Sequence, residues 1–238
     1  MPRILSMTRL IVLFSCALAL CLGGCAGVSV KDDHRSVEAV VSQAEQLIKS
    51  KAYAAAAAQY AIAIEKDPVV GRYYLRRAEV LERIDKDKEA HRTYEQAMEM
   101  VSEDDPDHLQ IMHRLALIDA NHLFKLDEAE ALLQKMPGTS VERYDVAAFL
   151  YYQASQFDES ISLLNKALER VRSADQKALL LYHAALVYVK IGDQKNTFGS
   201  LYYSINNAEH LGLIRDIEQL WQEINNDTAD KPPLFPKS

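Results

Sequence analysis

Val37 to Val70 reads VEAVVSQAEQLIKSKAYAAAAAQYAIAIEKDPVV, and Gly71 to Asp104 reads GRYYLRRAEVLERIDKDKEAHRTYEQAMEMVSED. Laid over each other at a shift of 34 residues, Ala44 meets Ala78, Leu47 meets Leu81, Ala56 meets Ala90, Tyr60 meets Tyr94 and Ala63 meets Ala97. Five coincidences at one fixed offset mark an internal repeat, and a period of this length is the mark of stacked helical units. In the first unit Ala44 and Leu47 belong to one helix and Ala56, Tyr60 and Ala63 to a second, with Tyr53 at the turn and Pro68 closing the pair. Alanines let the two helices approach closely, and the large residues fill the space left. Ala, Leu, Glu, Lys and Gln dominate, residues that lose little on entering a helix.

This small-large-small pattern resembles the tetratricopeptide repeat, whose consensus it follows in both units. Weaker copies start near Val141, with Tyr144, Ala148, Tyr151, Phe157, Leu164 and Ala167, and near Ala178, with Ala185, Tyr188, Gly192, Thr197, Leu201 and Ser204. Between them a degenerate copy, roughly Gln110 to Thr139, keeps Leu117 and Ala129, and Met136-Pro137-Gly138 cuts its second helix short. The acidic stretch Glu103 to Asp107, which includes Pro106, reads as a longer connection. Units starting at 37, 71, 110, 141 and 178 are irregularly spaced, and the third register is open. Leu211 to Asn225 is one further amphipathic helix, with Leu213, Ile217, Leu220, Trp221 and Ile224 on one side, suited to cap the stack. The expected fold is all-α: a right-handed superhelix of about five such hairpins plus a C-terminal capping helix, over residues 37–225. The Pro-rich segment 226–238 is expected to be non-helical, and its Leu234-Phe235-Pro236 either docks on the body, stays disordered or meets a partner.

The N-terminus has a different character. Arg3 and Arg9 precede an uninterrupted apolar run, Leu10 to Leu22, too short for a comfortable membrane span and suited to a signal peptide. Leu22-Gly23-Gly24-Cys25 then resembles the bacterial lipobox, which implies cleavage after residue 24 and lipidation of Cys25. Cleavage would remove Cys16 and Cys21 and take the formal charge from -7 to -9. The one remaining cysteine would be acylated, so the fold would stand without disulfides. Residues 25–36 then form the lipidated N-terminus and a short tether, which keeps the body near a membrane. Ala26 stands where a retention aspartate would hold such a protein at the inner membrane, which implies the periplasmic face of the outer membrane.

No nucleotide-binding loop, zincin motif or nucleophile elbow occurs, so no catalytic residue, cofactor or metal is expected. His108, His113 and His122 come nearest to a cluster, at spacings poor for one helical face. The acidic balance argues against nucleic acid.

In the tetratricopeptide family the first helix of each unit lines a concave groove. Carried over by position, the lining is Val41, Glu45 and Lys49; Arg72, Arg76, Glu79 and Arg83; Arg114, Ile118 and His122; Asp145, Phe149 and Tyr152; and Tyr182, His183, Leu186 and Lys190. The groove should be cationic near the second and third units and aromatic-aliphatic near the fourth and fifth. Arginine and aromatic residues are the types enriched at binding hot spots. The alternative is that Arg72, Arg76 and Arg83 merely solvate a helix face and pair with Glu79 and Glu82. The resemblance implies a membrane-anchored scaffold or assembly factor of the cell envelope, binding a protein partner in the groove. A small-molecule-binding or enzymatic lipoprotein and a structural homo-oligomer are the competing readings.

Overall fold

The computed structural model describes residues 34–227; the signal segment, Cys25, most of the tether and the tail from residue 228 onward lie outside the described residues. Among the described residues there are eleven α-helices and no strand. Ten of them form five hairpins: α1 (Val37–Lys49) with α2 (Tyr53–Lys66), α3 (Gly71–Arg83) with α4 (Asp87–Met100), α5 (Pro106–Asn121) with α6 (Leu126–Lys135), α7 (Val141–Gln153) with α8 (Phe157–Leu168), and α9 (Ala174–Ile191) with α10 (Gln194–Asn207). The eleventh, α11 (Leu211–Asp227), follows alone.

Local chemistry explains where the first helices begin. Ser36, Asp105, Ser140 and Ser173 each accept a hydrogen bond from a backbone N–H in the first turn of α1, α5, α7 and α9. Pro106 opens α5 instead of lying in a connection, because its missing N–H costs nothing at the first helical position. α5 and α9 each start four residues before the repeat register implied by the sequence, one extra turn that accounts for the long spacings ahead of both units.

The hairpins end their first helices in one way. Lys51, Asp85, Phe124, Ser155 and Gly192 are the described residues with positive φ, between 54° and 75°. Each is the fifteenth residue of its unit when the units start at 37, 71, 110, 141 and 178. The third register, open in the sequence, is thereby fixed: the chain turns into its left-handed residue at Phe124 as it does at the other four sites.

The small residues of the pattern lie where paired helices touch. Ala44, Ala56, Ala63, Ala78, Ala90, Ala97, Ala129, Ala148, Ala167 and Ala185 have no exposed surface. Ser160 and Ser204 take the small positions of later units and donate their hydroxyls to the Ala148 and Ala178 carbonyls, both at 2.8 Å. Tyr60, Tyr94, Leu164 and Leu201 fill the large positions. Tyr151 departs from the pattern: Leu81 at the same place in the second unit is 2% exposed, Tyr151 38%.

The final helix covers more than the end of the stack. Leu213, Ile217 and Leu220 of α11 join one core cluster with Leu117, Ala120, Phe149 and Tyr182, while Leu211 joins another with Leu75, Leu115 and Ile118. α11 packs most closely on α3, in the second hairpin. At Gly212 a methyl group would collide with Glu82, whose Cβ would stand 2.9 Å away. The helix thus lies along the first helices of the hairpins, on the concave side.

Candidate functional site

The concave side is a channel whose floor is α3, α5, α7 and α9 and whose filling is α11. Three features of the α10–α11 turn seat it. The Asp175 carboxylate accepts from the Glu209 and His210 N–H groups at 2.6 and 3.2 Å. His210 Nδ1 accepts from the Leu213 N–H at 3.3 Å, which leaves the ring proton on Nε2, 3.3 Å from the Tyr94 hydroxyl. Burial, together with the positive charges of Arg114, Arg76 and Arg215, pushes the His210 pKa well below the ordinary histidine value.

Arg215, on the next turn, is the main ionic pin. Its side chain is almost wholly buried and donates to the Glu82 carbonyl, to Asp87 at 2.8 Å and to Asp216 at 2.7 Å. His122 lies against the same guanidinium at 2.9 Å, with Asp216 and Asp87 both 3.5 Å away. Burial works against both charges of the His122–Asp216 pair. Their mutual attraction outweighs it, raising the imidazole pKa and lowering the carboxyl, the latter with the help of Arg215. Arg83 completes the anchoring by donating to Glu218 at 2.6 Å while stacking over Tyr53, 5.3 Å from the ring centre.

Beneath α11 runs a buried polar layer. Asp145 of α7, 1% exposed, holds His113 of α5 at 2.8 Å and His183 of α9 at 2.6 Å. Burial alone would raise its pKa, but the charge of His183 and both hydrogen bonds hold it well below the carboxylate range. One carboxylate therefore stitches the first helices of three successive hairpins. Glu82 of α3 accepts from the Tyr94 hydroxyl at 2.5 Å, and its burial, only partly offset by Arg114, raises its pKa to about 7. What space remains between Glu82, Arg114, His122, His183, Leu213 and Asp216 is a void of about 20 Å³, about one water in size.

The residues expected to line an open groove fare differently. Lys49 and Arg72 are exposed. Arg76 bonds to Glu45 of α1 at 3.1 Å and also to Glu79, and the Tyr60 hydroxyl donates to the same Glu45. The cationic character expected there is thus largely neutralised by Glu45, Glu79 and Glu218. Arg114 is 8% exposed and Phe149 1%. Tyr182 is buried as well, and Leu186 and Tyr152 pack at the edge of the α11 cluster. Phe149 meets Tyr152 and His183 at a tilt, with ring centres 5.6 and 4.9 Å away. Burial and the Glu223 carboxylate raise the Tyr152 phenol, and Tyr152 shares its apolar cluster with Trp221 and Ile224 in the last turns of α11.

His113 and His122 serve two different buried networks, and His91 pairs with Asp119 at 2.9 Å. Among the described residues no group of three His, Cys, Asp or Glu side chains is placed to hold a metal, and no helix is long and apolar enough to cross a membrane. Sequence reasoning missed the role of His210 and Arg215. Arg215 lies about half a turn from Leu213, on the side of α11 away from the Leu213–Ile217–Leu220 stripe, and His210 precedes the helix, so the apolar pattern carried no sign that either is buried.

No family model matches the sequence, and no curated protein matches it. Solved structures do match. The chain superposes on the crystal structure of PilW, a widely conserved type IV pilus biogenesis factor, with a TM-score of 0.53 and 15% identity, covering 82% of this chain and 94% of that one. It superposes on the Cut9-Hcn1 hetero-tetramer of the APC/C with a TM-score of 0.57 and 13% identity, covering 82% of this chain and 38% of the other. YrrB, a TPR protein with an unusual peptide-binding site, matches at 0.46 and 18%, over 79% of this chain and 95% of that one. The first two likenesses are of fold: a helical stack of tetratricopeptide type.

Proposed function

We propose that this chain is a lipid-anchored protein-interaction scaffold of the bacterial cell envelope, attached through Cys25 at the outer membrane and holding a protein partner on its concave side. The observation that supports this reading most is α11 itself. A channel that seats an amphipathic helix on Phe149, Tyr182, Arg83 and Glu82 is shaped to receive peptide helices. With α11 in place, the partner meets Lys49 and Arg72 at the open end and the polar outer side of α11, where Gln219, Gln222 and Glu223 are exposed. Arg114, Phe149, Tyr152, Tyr182 and Leu186 then act through α11, by holding it in position. The proposed role is non-catalytic. PilW is a pilus biogenesis factor, and a part in assembling an envelope machine is the role we favour here.

A photocrosslinking residue placed at position 72 or 219 in intact cells, with Cys25 retained, tests the reading. Both positions should trap the same discrete protein, and a control at the exposed Asn206 should not. If all three positions give the same crosslinks, the concave side is not the binding face. Cys25→Ser should release the protein from the membrane fraction; a variant that stays there removes the lipid anchor from the proposal.

A further inference from the structure

A second surface feature lies away from the concave channel, between α6 and α7. Arg143, near the start of α7, donates to the Leu133 and Met136 carbonyls and clamps α7 to the end of α6. Beyond this clamp the seam is open, from Gln134 back to Leu126 on α6 and from Ala147 to Gln156 along α7 and past its end. The wedge between them has a volume of about 430 Å³ and is lined by Leu126, Leu133, Leu150 and Tyr151, with Asp127 and Glu130 at the rim. Side chains that close this seam elsewhere are missing here: Tyr151 stands where the second unit buries Leu81, and Leu126 is 43% exposed.

Phe124, two residues before the wedge, makes the feature harder to read as loose packing. Its four counterparts at the left-handed turn position are Lys, Asp, Ser and Gly. A bulky aromatic residue is a genuine outlier at φ 54°, and it gains nothing from burial, being 77% exposed. Strained backbone of this kind clusters at ligand clamps and switch regions, and here it presents a ring to the mouth of the wedge.

Charge and reach identify what that contact is. The rim is acidic, and no basic side chain lines the wedge. The chain's own last segment carries an apolar pair, Leu234-Phe235, between Lys231 and Lys237. Tyr151, Ala154 and Gln156, at and just beyond the end of α7, line the wedge, and the neighbouring Tyr152 shares an apolar cluster with Trp221 and Ile224 of the last turns of α11. From Asp227 to Leu234 the chain spans up to about 23–25 Å, enough to round the end of one helix, itself about 10–12 Å across. A cavity of about 150 Å³ takes a benzene ring, so this wedge has room for both apolar side chains. Pro232, Pro233 and Pro236 reduce the conformational entropy lost on docking. We propose that the α6–α7 wedge is a docking site whose occupant is this chain's own C-terminal segment, with Leu234 and Phe235 in the wedge against Phe124 and Tyr151, and Lys231 and Lys237 on Asp127 and Glu130.

The inference does not depend on the concave-side reading, and a failure of the crosslinking experiment leaves it standing. Its test uses a fluorescein-labelled peptide, DTADKPPLFPKS, with two proteins: the mature chain carrying Cys25→Ser, and the same chain ended after Asp227. The peptide should bind the shortened protein at least tenfold more tightly than the full one, whose wedge is already filled. Glu130→Lys with Asp127→Lys, both at exposed positions, should weaken binding at least tenfold. A peptide with Lys231→Glu and Lys237→Glu should bind that double variant better than it binds the shortened parent. Equal binding to both proteins means the wedge is open in the full chain and overturns the assignment of its occupant. No binding to the shortened protein, with its circular dichroism unchanged, overturns the site.

Discussion

At the scale of single residues, the fifteenth position of each unit carries the most information. Four of its five occupants are polar or Gly and suit an exposed turn, with Gly192 and Asp85 suiting the left-handed conformation itself. Phe124 does not, so no turn signal stands at that point of the sequence and the third register is illegible there. Relieving the strain should stabilise the protein. Phe124→Asn is expected to raise stability by roughly 0.5–1 kcal/mol, read as a shift in the urea midpoint, because Asn tolerates the left-handed region. The same variant should weaken binding of the C-terminal peptide to the wedge. Gly212 is the opposite case, a residue whose smallness is needed. Gly212→Ala should cost about 1–3 kcal/mol through the clash with Glu82, and a variant as stable as the parent would mean that α11 does not press on α3 as described.

At the scale of elements, α11 shows what a sequence can and cannot disclose. Its apolar stripe of Leu213, Ile217 and Leu220 was plain, and so was a helix from Leu211. The surface it covers was not, because periodicity specifies a face and not its partner. Burying Leu211, Leu213, Ile217 and Leu220 is worth about 1.5–3 kcal/mol for each side chain, together comparable with the whole stability of a domain. A chain ended after Asn207 should therefore not fold by itself, and a synthetic peptide covering residues 208–227 should restore its helical circular dichroism.

The seat of α11 also responds to pH, through Glu82. Its folded pKa, about 7, lies above the ordinary carboxylate value. Its contribution is therefore complete below about pH 4.3 and fades as pH rises through 7. Glu82→Gln keeps an acceptor for Tyr94 and removes that loss. It should gain stability over the parent, on the order of 1–3 kcal/mol, between pH 5 and pH 8. His210 works in the other direction, its contribution present above about pH 6.5 and lost on acidification. Trp221, the only tryptophan, packs edge-on against Phe198 at 5.9 Å and reports on the helix by fluorescence.

At the scale of the whole molecule, the stack was legible because small and large residues recur at fixed offsets, and each pair of helices needs only its neighbours to bury that pattern. The concave side was legible by position but not by state. Glu79 beside Arg76 on the same helix was legible, but Glu45 and Glu218 reach Arg76 and Arg83 only across folds of the chain. The bond from Arg83 to Glu218 spans 135 residues, and it changes what kind of object this is. An open solenoid gains stability one neighbour at a time and can fray from either end. Here the second hairpin is fastened to the last helix, so urea unfolding should be a single sharp transition, and Arg215→Ala should broaden it.

The same fastening sets an order of events in the life of the chain. Synthesis runs from the N-terminus, so the helix that covers Phe149 and Tyr182 is the last to be made. Until it arrives, the apolar side chains of the five units have no cover and the hairpins do not settle, so a chain interrupted late in its production is a sticky unfolded product instead of a smaller working protein.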